Sequence, residues 1–327
     1  MQHRDTTDRF LPRTGLRAAV LLLALAGRQV LAACEPAPPP VIDIDANSYY
    51  TDSHHSIIDP ALKARNEAAT KPVDEFVRMV ARTASAWQER RKDSDARCAL
   101  GWLSAWAGQN AMLGKMTTQQ SFYTRKWALA GLALSYARVQ GAASPEERKR
   151  IDDWLLALAD ATMRHSDAHK GARNNHYYWE GLAVTATGAV THDARSLAWG
   201  RKVFDFAMTQ VQPDGSLPLE LARAGRALNY HLFAAAPLAM MASILDVQAA
   251  PLDKLVAFSM AGVEDPAILQ KMTGFEQERA SEPGWIAIYQ RHGGQLAAPV
   301  RLPAKNFDPR MGGDRNLANP LEHVKGA

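Results

Sequence analysis

From Ala61 onward the apolar positions recur at three- and four-residue intervals, the spacing of one face of a helix. Pro60 opens the first such block, which runs to about Arg91 with Val73, Phe76, Val77 and Val80 on its apolar side. Further blocks cover residues 98–113, 119–139, 145–165, 178–190, 194–211, 219–248 and 252–260. Ala and Leu dominate, β-branched runs are scarce, and the breaks fall at Gly, Pro, Asn and Asp. Ser144-Pro145-Glu146-Glu147 is a helix start, with Pro in the first turn and acids at its positive end. No strand-like alternation stands out. Successive helices without a sequence repeat predict an all-α protein, and an incomplete (α/α) toroid fits best, because chemistry-bearing loops recur between helices of similar length. Residues 61–327 are read as one catalytic domain. The tail from Glu282 loses helical pattern and is expected to pack back over the body.

Two segments precede the helices. Arg9, Arg13 and Arg17, the apolar run from Ala18 to Gly27 and the small residues near Ala33 predict a signal peptide over residues 1–33; the run is too short to span a bilayer. Residues 34–60 combine a stiff Pro-rich lead-in with a polar aromatic loop, Ser48-Tyr49-Tyr50-Thr51-Asp52-Ser53-His54-His55, of a kind that lines clefts or simply covers a surface. Removing residues 1–32 takes away five Arg and two Asp, which leaves about +1 of the formal +4. Attraction for a polyanion therefore has to come from a local basic cleft rather than from net charge. Nothing points to nucleic acid, to an integral membrane span or to an obligate partner chain, so a monomer exported to the periplasm or beyond is expected. Cys34 and Cys98, the only cysteines, read as one disulfide in such a protein. Leu31-Ala32-Ala33-Cys34 also fits a lipidation site, although Arg28 and Gln29 interrupt the apolar run before it.

Candidate chemistry concentrates in two stretches. Asn175-His176 follows a polar loop and leads an aromatic run, Tyr177, Tyr178 and Trp179. Asp214-Gly215 is a turn signal, and Glu220, Arg223, Arg226, Asn229, Tyr230 and His231 follow it. On a continuous helix, Arg223, Arg226 and Tyr230 share one face. An amide, an imidazole, guanidinium groups and a phenol can hold a carboxylate and move a proton at carbon. Each also has a plainer role: Asn174 or Asn175 as a helix cap, His176 as a buried imidazole, Glu220 paired with Arg223. Phe122 to Trp127 adds a basic and aromatic group containing Tyr123 and Arg125, and Arg310 precedes a Gly-Gly turn. Trp102 and Trp106 read as core. His54 and His55 are adjacent and suit one metal poorly, so neither a metal nor a cofactor is expected. Asp214 and Glu220 keep a two-carboxylate hydrolase open, and a non-catalytic sugar-binding protein remains a third reading.

The Pro-rich lead-in after a cysteine, Cys98-Ala99-Leu100-Gly101-Trp102, Arg125-Lys126-Trp127-Ala128-Leu129, Asn174-Asn175-His176, Leu217-Pro218-Leu219-Glu220-Leu221, Arg226-Ala227-Leu228-Asn229-Tyr230-His231 and Pro237-Leu238-Ala239-Met240 occur in one order. In these blocks the chain resembles the alginate lyases of polysaccharide lyase family 5, poly(β-D-mannuronate) lyases with an α/α toroid fold. The resemblance implies cofactor-free β-elimination on an anionic polysaccharide. It gives catalytic roles to Asn175, His176, Arg223 and Tyr230, with Asn175 and Arg223 on the substrate carboxylate. Tyr230 protonates the leaving oxygen and, with its pKa depressed by Arg223 or Arg226, shares proton abstraction with His176. Tyr50, Tyr123, Arg125, Trp179, Arg226, His231 and Arg310 are the expected substrate-binding residues. Two departures bear on substrate scope. The segment around Ser48-Tyr49-Tyr50 lacks a Lys that some members carry, and Asn229 stands where an apolar residue or His is expected. Polyglucuronate and hyaluronan therefore join polymannuronate as candidate substrates.

Overall fold

The computed structural model describes residues 34–280, 283–300 and 302–322. The expected signal peptide lies outside these residues. The helical body is built from Glu35 onward.

Four long helices make an inner layer, each packed on the next: α1 (Pro60–Arg90), α3 (Gln119–Val139), α5 (Asn175–Thr191) and α8 (Ala227–Leu245). An outer layer of α2 (Asp93–Gly108), α4 (Pro145–Ala168), α6 (Ala194–Gln210) and α9 (Ala250–Glu264) covers their backs. The product is an incomplete (α/α) toroid. Composition sorts the layers. In α3, α5 and α8 nearly the whole circumference is buried, and they are rich in Ala, Leu and Gly that let helices approach closely. α4 and α6 keep one apolar face inward and a charged face outward. The stretch from Ala224 to Leu245 is long and apolar enough to cross a membrane, yet it is the mostly buried core helix of this ring.

Local signals set the helix starts. Asp59, Thr118, Ser144, Asn174 and Asp193 each cap a helix through the side chain, and Ser144 with Glu147 completes a reciprocal capping box. The 34–60 segment is a strap on the body. Trp102 and Trp106, both core residues, donate their indole N–H groups to the carbonyls of Glu35 and Pro38 at 2.7 and 2.9 Å. Ile44 and Ala46 are its buried anchors. Cys34 and Cys98 are both disulfide-bonded.

Two expectations are corrected. The predicted helix over 219–248 is broken. α7 (Pro218–Leu221) ends at once, a 3-10 turn covers Ala224–Arg226, and only then does α8 begin. Gln277 stabilises the break by donating to the Ala224 carbonyl and accepting from Leu228 N–H, with Ala224 at φ 50°. The tail is also less irregular than its sequence implies. After α10 (Ala267–Thr273) it forms α11 (Ile286–Arg291) and a ribbon of β1 (Phe307–Asp308) and β2 (Gly313–Asp314) around a 3-10 turn at Pro309–Met311. That turn lies against α3, where a side chain on Gly131 would collide with the Pro309 carbonyl. Gly131→Ala should therefore lift the turn and Arg310 with it. The expected result is a several-fold rise in KM with little change in kcat, together with a lower Tm.

Candidate active site

The N-terminal ends of α3, α5 and α8 meet at one mouth of the ring, and the 48–55 loop that leads toward α1 closes over them. Between them is a cleft of about 740 Å³. Each helix brings the positive end of its macrodipole, equivalent to roughly half a charge, so the floor favours an anion before any side chain is counted. Arg223, Arg226, Arg279 and Arg310 line the walls, against one carboxylate, Glu278. The local basic cleft required by the small net charge is thus present.

His176 sits in the first turn of α5, with its ring stacked on Tyr123 at 3.6 Å between centroids and 8° between planes. Burial, then the charges of Lys126, Arg223 and His55, hold its pKa well below the ordinary histidine range. The ring is therefore neutral, and its Nδ1 has no hydrogen-bond partner in the structure. Lys126, 1 % exposed, underlies the pair. It donates to the His176 carbonyl at 2.8 Å and to Glu180 at 3.3 Å, and its ammonium lies 4.2 Å from the Tyr123 ring centre. Burial lowers its pKa to about 8 against the pull of Glu180. Removing one partner strands a buried charge, so Lys126→Ala should destabilise the fold by about 3–5 kcal/mol, whereas Lys126→Met with Glu180→Leu should recover most of it. Urea unfolding of the three proteins checks this.

Tyr230 lies one turn into α8. Its hydroxyl is 3.0 Å from that of Tyr50 and 3.3 Å from the His55 carbonyl, and the Arg223 guanidinium lies 4.6 Å over its ring. The expectation that arginines depress its pKa is not met. Burial, then the hydrogen bond and charge of Tyr50, raise it above the ordinary phenol value despite Arg223 and Arg226. In this state Tyr230 is a proton donor.

The structure brings Tyr50, Tyr123, His176, Arg223, Arg226, Tyr230 and Arg310 to the cleft wall. The break between α7 and α8 places Arg223 and Arg226 there from a turn rather than from a shared helix face. Four predicted residues lie elsewhere. Asn175 is wholly buried behind the wall, its backbone N–H and its Nδ2 bonded to Glu220 at 2.7 and 2.9 Å. Arg125 points away and donates to the Ala161 carbonyl. Trp179 is 1 % exposed, bonds the Phe233 carbonyl and backs the Phe233 ring instead of meeting a sugar. His231 is buried and accepts from Leu217 N–H at 2.9 Å, which secures the turn before α7. Helical period explains the first exchange: Trp127, four residues after Tyr123, lines the cleft where Arg125 was expected. Phe233, three residues after Tyr230, could have been found the same way. Trp127 carries Arg310, whose guanidinium is 4.3 Å from its ring centre. Glu278 and Arg279 gave no local signal, since only the chain's return after α10 brings them in.

Neither hydrolase candidate reaches the cleft. Asp214 is spent on its own turn, accepting from Ser216 N–H and Oγ, and Glu220 is fully buried. Glu278 is the sole carboxylate on the wall among the described residues, so no carboxylate pair faces a glycosidic bond.

A sequence profile of the alginate lyase family matches residues 43–269. The chain belongs to the alginate lyase family. This lyase is 41 % identical to a polysaccharide lyase of Stenotrophomonas maltophilia over 92 % of its length and 95 % of that protein's. It is 30 % identical to an alginate lyase of Azotobacter vinelandii, covering 89 % of this chain and 85 % of the other. Alginate lyase A1-III from Sphingomonas species A1 superposes with a TM-score of 0.69 at 25 % identity, over 86 % of this chain and 84 % of that one, and shares the α/α toroid. The protein is accordingly a polysaccharide lyase.

Proposed function

We propose that this lyase cleaves 1,4-linked, mannuronate-rich alginate by β-elimination and leaves a 4,5-unsaturated uronate at the new chain end. The observation that carries the reading is the pairing, in one cationic cleft, of a neutral imidazole with a protonated phenol under a guanidinium. The uronate carboxylate sits against Arg223 at the positive helix ends, which stabilise the charge that grows as C5 loses its proton. His176 accepts H5. The electrons of the C5–H bond form the C4–C5 double bond, the C4–O4 bond breaks, and Tyr230 gives its proton to O4. Solvent then returns a proton to Tyr230 and takes one from His176. The Tyr123–Trp127 face and Arg310 carry neighbouring sugars. One form of A1-III is known in complex with a tetrasaccharide, which fits a cleft of this size. Export to the periplasm or beyond and action as a monomer complete the proposal.

A broader range that includes polyglucuronate or hyaluronan is the second reading. It is favoured by Asn229, whose amide donates to Glu278 at 3.2 Å while Arg226 approaches the same oxygen at 3.3 Å. That cluster offers neutral and acidic partners to a sugar hydroxyl where a cation alone would select a carboxylate.

The test is ultraviolet absorbance during incubation with polymannuronate, polyguluronate, polyglucuronate and hyaluronan. A rise marks the conjugated product, which hydrolysis cannot make, and the polymer giving the fastest rise names the substrate. Saturated products or a flat trace on all four would overturn the proposal.

A further inference from the structure

Glu220 is a carboxylate with no exposure at all, beside the cleft but not part of its wall. Such a group costs several kcal/mol unless it is fully partnered. Its partners are specific. Oε1 accepts the backbone N–H of Asn175, one of the donors that the start of α5 leaves free within the helix. Oε2 accepts the Asn175 Nδ2 at 2.9 Å and lies 3.8 Å from Arg223 Nε. Burial pushes the carboxyl pKa up, while the Asn175 donors and Arg223 pull it back. The Asn175 Oδ1, in contrast, is buried without any partner.

We propose that Glu220 is a positioning residue of the elimination: by accepting both Asn175 donors beside Arg223, it holds the first turn of α5, which carries His176, in register with the Arg223 guanidinium on the cleft wall. An ionised carboxylate is an acceptor only. It attracts the amide nitrogen and repels the amide oxygen, so it selects one of the two orientations an Asn side chain can take. The orphaned Oδ1 is what that selection leaves behind. The same carboxylate draws on the Arg223 guanidinium, which stacks over Tyr230 at its other side. One buried anion thus ties the start of α5 and the Arg223 guanidinium to the proton donor.

The inference rests on the lyase reading. Glu220→Gln keeps the shape but has one acceptor and one donor, so it cannot accept from both Asn175 hydrogens unless the Asn175 amide turns over. Steady-state assays on the best polymer should show kcat reduced about 100-fold, the scale of losing one transition-state donor, with KM within a few-fold and Tm nearly unchanged. In an Asn175→Ala background the same change should add less, because one of the two links from Glu220 to α5 is already gone. Glu220→Asp, which keeps an acceptor-only carboxylate, should retain more turnover than Glu220→Gln, and it serves in the same cycle if the Gln variant does not fold. Wild-type kcat in a folded Glu220→Gln protein would overturn the proposal. So would losses that multiply fully in the double variant, or a Gln variant more active than the Asp one. A wild-type protein silent on every polymer would count against the lyase reading instead, so the two failures are distinguishable.

Discussion

Tyr230→Phe should lower kcat by about 1,000-fold, within the span that a positioned acid or base supplies, while binding of the polymer changes little. Phenylalanine keeps the ring that Arg223 covers at 4.6 Å and removes only the hydroxyl. What is lost is the proton for the departing O4. Because burial and Tyr50 raise the Tyr230 pKa, the donor stays protonated through neutral and mildly alkaline pH. The alkaline limb of the rate profile should therefore lie at or beyond the ordinary phenol range, near pH 10. Tyr50→Phe removes one cause of that rise and should draw the limb to lower pH while sparing most of kcat. The measurement is the initial rate of unsaturated-product absorbance from pH 5 to 10.5, with binding followed separately by tryptophan fluorescence, since Trp127 lines the cleft. Full turnover by Tyr230→Phe would remove the phenol from the chemistry.

His176→Ala is the second large effect, again about 1,000-fold in kcat if the imidazole accepts H5. The sign of its pH dependence follows from its environment. Burial and the charges of Lys126, Arg223 and His55 lower its pKa, so the neutral, proton-accepting form persists below pH 6.5. The wild-type acid limb should accordingly fall under that value rather than at it. Removing a cation should move the limb upward: Arg223→Met is expected to do so, in addition to its loss of carboxylate binding. The stability balance has the same origin. An unfolded chain protonates His176 near pH 6.5 and the folded one does not, so stability present above that pH is lost as the pH falls toward the folded value. His176→Ala also removes the ring on which Tyr123 stacks, so its Tm must be read beside its rate. Unchanged turnover in a folded variant would shift the base role elsewhere.

How much of the molecule is legible in its sequence depends on the range of the interaction that decides each feature. The helices, their caps at Ser144 and Asn174, and the burial of Trp102 and Trp106 follow from residues within a few positions of one another. So does the nearness of Asn175 to His176. The all-α class and the ring were readable for that reason, and the cleft residues Tyr123, His176, Arg223, Arg226, Tyr230 and Arg310 followed with the family blocks. A strict helical period misled where the chain departs from it. Gln277, forty-nine residues on from Leu228, holds open the turn that separates Arg223 from α8. Arg125 and Trp179 have the composition of a sugar site but the phase of a core, and phase relative to a neighbour is set only when helices pack.

Helix periodicity, capping and motif order are all local, and they were enough to make this chain a helical toroid of the alginate lyase family with an amide, an imidazole, a guanidinium and a phenol at known positions. Which of those groups meet was settled only when the helices packed. Packing placed Glu278 and Arg279 on the cleft wall, hid Asn175 and Glu220 behind it, and set the protonation of His176 and Tyr230. Burial and Coulomb interactions depend on what lies within a few ångströms in space, and the partners that matter here come from segments up to 180 residues away.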